Sequence, residues 1–131
     1  MKKFKVILYW AARIVPAIIL LQTLFFKFSA SEESVYIFTK VGMEPWGRIG
    51  VGIVELVAAI LLLINRTAWI GGGLAVGLMV GAIGMHLTIL GIEVQGDGGY
   101  LFFLACVVTL SGGYVVIENK DKLMSTFKLA R

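Results

Sequence analysis

A single cysteine, Cys106, and a single histidine, His86, stand in a chain of 131 residues, and each scarcity removes a chemistry. One cysteine leaves no intrachain disulfide and no CxxC thiol relay, and one histidine leaves no paired-histidine haem ligation within the chain. No second histidine and no ligand spacing accompany His86, so no metal site is expected. Charge is scarce as well. Only 15% of the residues are charged, against 59% hydrophobic, and the mean hydropathy is +0.92. Soluble domains carry about 25% charged residues, so this composition is that of an integral membrane protein. The net charge of +4 gathers in the tails, at Lys2, Lys3 and Lys5 and at Lys120, Lys122, Lys128 and Arg131. In a membrane chain that pattern speaks of orientation and lipid contact, with no nucleic-acid partner expected. "GVGIVE" lacks the third glycine and the preceding strand of a dinucleotide fingerprint.

What is abundant is apolar sequence in long runs. Four stretches, at about residues 6–26, 46–64, 68–91 and 98–117, reach the roughly 20 helical residues needed to cross a bilayer. The first follows "MKKFK", but its apolar run is longer than a signal peptide's, so it is read as a retained helix that contains Pro16. "INRTAW" makes helices two and three a tight hairpin, with Asn65 as stop and Thr67 as N-cap, and Asp97 suits the start of helix four. In the long connection, Ser29 and Ser31 precede Glu32 and Glu33, apolar residues follow, and Gly42 ends the segment, so a short interfacial helix is expected across one mouth of the bundle. The expected fold is all-α: a four-helix transmembrane bundle, one domain over residues 1–131, with a basic tail at 118–131 lying on the cytoplasmic leaflet. Basic residues in the tails and Arg66 place both termini in the cytoplasm.

Within this apolar background, Glu55 occupies the centre of "GRIGVGIVELVAAILLLIN". A charge at mid-membrane costs about 2.5–3.5 kcal/mol on insertion scales, so it must face protein or water and find a partner. Counting about 1.5 Å per residue from the helix ends puts Arg13 level with Glu55, which makes it the first candidate counter-ion. Arg48, at i−7 on the same helix, is the second. Gln22, Lys27, His86, Thr88, Glu93 and Asp97 extend the polar series toward the outer mouth. A buried pair that fixes helix packing is the plainer reading of Glu55 and Arg13, and a hydrogen-bonded packing residue is the plainer reading of His86. Gly73, Gly77 and Gly81 recur every fourth residue and are read as a groove for close packing within the chain, with a homo-oligomer interface as the alternative. Phe25, Phe26, Trp46 and Tyr100 form an aromatic belt or wall a pocket for a flat apolar ligand.

"LQTLFFKF", "EPWGRIGVGIVELVAAILLL", "GLMVGAIGMHLTILGIEV" and "DGGYLFFLA", in that order, make the chain resemble the DoxX-like family of small bacterial four-helix membrane proteins. The resemblance implies a bacterial cytoplasmic (inner) membrane location. It also implies a neighbourhood of redox or assembly roles: some members are described as components of thiosulfate:quinone oxidoreductase, others as associated with membrane oxidoreductase complexes, and distant animal relatives as assembly chaperones. No catalytic residue carries over. The buried polar and ligand-site candidates are Arg13, Gln22, Lys27, Arg48, Glu55, His86 and Asp97. The leading expectation is a membrane subunit, associated with a redox partner, that binds a hydrophobic small molecule, a quinone among the candidates, with no covalent cofactor. The alternatives are a non-enzymatic assembly or scaffold protein and, behind both, a proton-coupled carrier, for which four helices leave little room unless the chain oligomerises.

Overall fold

The computed structural model describes residues 2–119 and 121. Its elements are α1 (Lys2–Phe28), α2 (Glu32–Lys40), α3 (Trp46–Leu63), α4 (Ala68–Met85), which continues into a π-helical turn (His86–Leu90), and α5 (Tyr100–Glu118). Four of these helices are long and apolar enough to span a membrane, the third of them as Ala68–Leu90. Large apolar side chains cover the outside, with Leu110 76% exposed and Ile7 66%. Such a surface belongs in lipid, and the chain is a multi-pass membrane protein. The expected boundaries shift most in α1, which starts at Lys2 and runs unbroken through Pro16 to Phe28. The tail expected to lie on the leaflet falls outside the described residues, apart from Glu118, Asn119 and Asp121.

The four long helices form a ring in the order α1, α3, α4, α5, with α5 returning to α1. Asn119 Nδ2, past the end of α5, donates to Tyr9 Oη at 2.7 Å, so the two ends of the described chain meet at one end of the bundle. The other end carries α2 and the π-helical turn, which touch each other. Ser31 caps α2, accepting from the Ser34 N–H at 3.3 Å, and Gly42 follows the helix at φ +78°, where a side chain would strain the backbone.

The terminal half of the bundle is closed by small residues. Leu20, Ala58, Ala59, Leu62, Ala75, Val108 and Val115 are all but inaccessible. Glycine lets the backbones meet there: a Cβ on Gly71 would stand 2.6 Å from Leu62 N, and one on Gly72 would stand 2.8 Å from Gly112 O. The close-packing glycines are therefore not the ones singled out by their fourfold spacing. Gly73, Gly77, Gly81 and Gly84 have no atom of a neighbouring helix within 4 Å of an added Cβ. Spacing alone defines a stripe without saying which way it faces. Here the stripe on α4 is offset from the α3 and α5 contacts, which fall on Gly71 and Gly72.

Candidate functional site

In the half of the bundle nearer α2, the helices enclose a cavity of about 640 Å³. Gly77 and Gly81 border it, so the absence of side chains on that stretch of α4 makes room instead of closing a contact. Its walls are mostly apolar, including Ile19, Met79, Met85 and Leu104, and α2 lies over the mouth through Ile37 and Phe38.

Glu55 lies in the wall, 1% exposed, and its partners come from one face of α1. Thr23 Oγ1 donates to Glu55 Oε2. Lys27, one turn further along α1, places Nζ 2.7 Å from Oε1, a close ion pair rather than an aligned hydrogen bond. Lys27 lies near the end of α1 and reaches back toward the membrane centre, and its carbonyl is held separately. Arg48 Nη1 donates to Lys27 O, while Arg48 Nε is 2.9 Å from Glu44 Oε1. A guanidinium on the last carbonyls of a helix satisfies acceptors that the helix leaves open. Arg48 is thus a clamp on the end of α1, not a counter-ion for Glu55.

Arg13 is not the counter-ion either. It is 1% exposed, and its Nε donates to Leu62 O at 2.8 Å and its Nη1 to Asn65 Oδ1 at 2.8 Å, closing the C-terminus of α3. Its guanidinium carbon lies 4.0 Å from the centroid of the Trp10 ring, and Nη2 has no hydrogen-bond partner among the described residues. The expectation failed because it set the ends of α1 and α3 flush. In the observed register Thr23 faces Glu55 and Arg13 faces Asn65, so the N-terminal turns of α1 project past the end of α3. Ten residues, about 15 Å, separate Arg13 from Thr23 along the helix.

His86 is 5% exposed and begins the π turn. Its Nδ1 is 2.9 Å from Gly91 O, and since a carbonyl only accepts, Nδ1 carries the proton. Phe102 meets the imidazole edge-on at 5.6 Å between ring centroids. The wide π turn advances the chain so that the ring on His86 can reach back from the wall to the carbonyl at Gly91, whose φ of +83° suits glycine.

At the mouth, Asp97 Oδ1 accepts from Val94 N at 3.0 Å and Gly99 N at 2.8 Å, and Oδ2 accepts from Leu101 N at 3.2 Å, fastening the turn to the start of α5. Burial works to raise its pKa, but these N–H groups and that of Tyr100 outweigh it and hold the carboxyl below its ordinary value. Burial, and then the Asp97 charge, push Glu33 of α2 above its own.

The cavity brings together Gln22, Lys27, Glu55, His86 and Asp97 from the sequence candidates and leaves out Arg13 and Arg48. Thr88 turns its hydroxyl to Gly84 O at 2.7 Å on an exposed face, and Glu93 is exposed, so neither extends the polar series into the cavity. Of the belt aromatics, Phe26 and Tyr100 border the cavity while Phe25 and Trp46 face outward. The sequence reading missed Thr23 and Glu33; the signal for Thr23 was its i, i+4 spacing from Lys27, which sets both on one face of α1.

No curated protein and no solved structure matches the chain. The family model DoxX matches residues 8–89, which hold α1 from Leu8 onward, α2, α3 and α4 with the Lys27, Glu55 and His86 positions. With more than half of its length matched, the chain belongs to the DoxX family.

Proposed function

We propose that this protein is a membrane subunit that binds a hydrophobic small molecule, a quinone foremost, in the cavity beneath α2, beside a redox partner. The observation that carries this reading is the cavity itself: mostly apolar walls interrupted by the Lys27–Glu55–Thr23 group and by His86. Ligand sites combine apolar walls with a few converging polar groups in this way. A quinone, when bound, supplies two-electron chemistry coupled to two protons, and a partner must deliver or accept the electrons. This chain's residues would seat the ring among Ile19, Met79 and Leu104 and meet its oxygens with donors and acceptors. Both termini would lie in the cytoplasm of a bacterial inner membrane, with α2 on the outer side.

The test is purification from native membranes in mild detergent, mass spectrometry of co-purified small molecules, and titration with a short-chain quinone. Recovery of a quinone and saturable binding are expected; lipids alone, with no binding on titration, overturn the reading. Arg13 favours the assembly role for the other half of the bundle, where its Nε and Nη1 tie α1 to the end of α3.

A further inference from the structure

His86 and its surroundings fix the direction of one hydrogen bond to whatever fills the cavity. Nδ1 donates its proton to Gly91 O at 2.9 Å, and a neutral imidazole carries only one proton. The other ring nitrogen, Nε2, is therefore a lone pair, and the described residues form no hydrogen bond to it. The residue is 5% exposed and borders the cavity. An acceptor that a ligand covers without pairing it costs about 1–3 kcal/mol, so a ligand lying against Nε2 is selected for a donor at that point. A quinone carbonyl has none and would set lone pair against lone pair. A phenolic hydroxyl fits.

We infer that the cavity is built for the hydroxyl-bearing member of its ligand class, a hydroquinone or another apolar phenol, whose O–H donates to His86 Nε2. This rests on the cavity being a ligand site, and it adds which oxidation state is held and by which atom. The opposite polar group does not compete for this role. Thr23 donates to Glu55 Oε2, and Oε1, although it accepts no aligned hydrogen bond, is neutralised by the Lys27 ammonium 2.7 Å away, so this carboxylate is already engaged from α1. His86 is a cavity acceptor held from behind, by the Gly91 carbonyl and the Phe102 ring, with its second nitrogen left free of the hydrogen bonds that use up the Asp97 oxygens. A locked acceptor discriminates because it cannot turn to offer a donor instead.

Because the chain has one histidine, the inference can be read directly. Full-length protein labelled with ¹⁵N in the imidazole is placed in nanodiscs at neutral pH under anaerobic conditions. It is titrated with an alkyl-1,4-benzohydroquinone, the matching benzoquinone and the matching dimethyl ether. The unliganded protein is expected to show an Nδ1-protonated imidazole. The hydroquinone is expected to move the Nε2 resonance saturably and to bind roughly tenfold tighter than the other two, the value of one hydrogen bond to a buried acceptor. A protonated Nε2 in the unliganded protein, an unmoved Nε2 resonance at saturation, or equal binding of hydroquinone and diether overturns the inference while leaving the cavity a ligand site. Failure of all three compounds to bind overturns both. The measurement needs no variant, so it does not depend on a substituted chain folding.

Discussion

Lys27 and Glu55 form an ion pair at 2.7 Å even though one residue lies near the end of its helix and the other near the middle. The long lysine stem spans the difference, running along the cavity wall while the ammonium turns inward, the reverse of the usual reach toward the interface. Thr23 completes the arrangement by donating to the second oxygen of the carboxylate. Two charges that would each be expensive in lipid thus share one site.

The pair is unequal, which predicts an asymmetry. Glu55 is 1% exposed, whereas the Lys27 side chain retains 17% of its exposure along the cavity. Lys27→Met leaves a buried carboxylate without its cation and is expected to cost about 3 kcal/mol of stability in detergent. Glu55→Gln leaves a lysine with access to the cavity and is expected to cost less. The double variant should be more stable than the sum of the single losses requires. Additive losses in the four-variant comparison would show that the two side chains do not depend on each other.

Arg13 supplies the contrast. Arg13→Leu strips a donor from Leu62 O and from Asn65, and a loss of about 1–3 kcal/mol is expected. Combined with Glu55→Gln, the effects should add, because the two residues share no partner and are separated along the helices by about 15 Å. Coupling between them, measured in the same detergent, would contradict this register of α1 against α3.

That register marks the boundary of what the sequence made legible. Helix number, the α2 segment with a serine ahead of it, and Asp97 at the start of α5 all follow from local signals: runs of apolar residues, serines before two glutamates, an aspartate before a helix start; which of Ser29 and Ser31 caps α2 did not. Burial of Glu55 also followed from its surroundings. Its partner did not, because the offset between α1 and α3 is set by packing between residues about 30 to 50 apart, and helix ends are a poor ruler for it. The glycines failed for the same reason. Gly71 and Gly72 are adjacent in sequence yet face two different helices, and no spacing rule distinguishes them from Gly73.

The two glycine classes should therefore respond differently to an added methyl group. Gly72→Ala drives a Cβ to 2.8 Å from Gly112 O, a backbone atom that cannot turn aside, and a loss of about 1–3 kcal/mol is expected. Gly73→Ala meets open space and removes a flexible residue from a helix, so it should be neutral or stabilising by up to about 1 kcal/mol. Thermal unfolding of the two variants side by side checks the difference, and equal losses would contradict it.

The carboxylates at the mouth predict opposite pH dependences. Asp97 is held below its ordinary value of 3.8, so its stabilising bonds to the turn are present above that pH and are lost as pH falls through the lowered value. Asp97→Asn should loosen the turn at neutral pH, by about 1 kcal/mol as for a lost cap. Glu33 is held above its ordinary value of 4.5, so the fold favours its protonated form: that contribution is full below 4.5 and is lost as pH rises through the raised value. Glu33→Gln should accordingly be more stable than the parent at pH 7, with the advantage gone near pH 4. Unfolding curves at several pH values check both signs.

Gly81 allows the ligand-binding and assembly readings to be separated without touching a charged residue. It borders the cavity, and an added Cβ there meets nothing within 4 Å, so bulk can be introduced beside the space a ligand would fill without a clash at Cβ. Gly81→Leu should preserve folding and the Lys27–Glu55 pair, because neither depends on a contact at Gly81. It should also reduce binding of a short-chain quinone or hydroquinone at least tenfold, since an isobutyl group and a ring cannot share the same volume. Gly73→Leu serves as the control, placing the same bulk on the same helix at a residue that does not border this cavity. If a redox partner's activity depends on the bound molecule, Gly81→Leu abolishes it at equal protein abundance and Gly73→Leu does not. Activity that survives with the cavity filled would mean that the partner needs the bundle for assembly and not for what it binds.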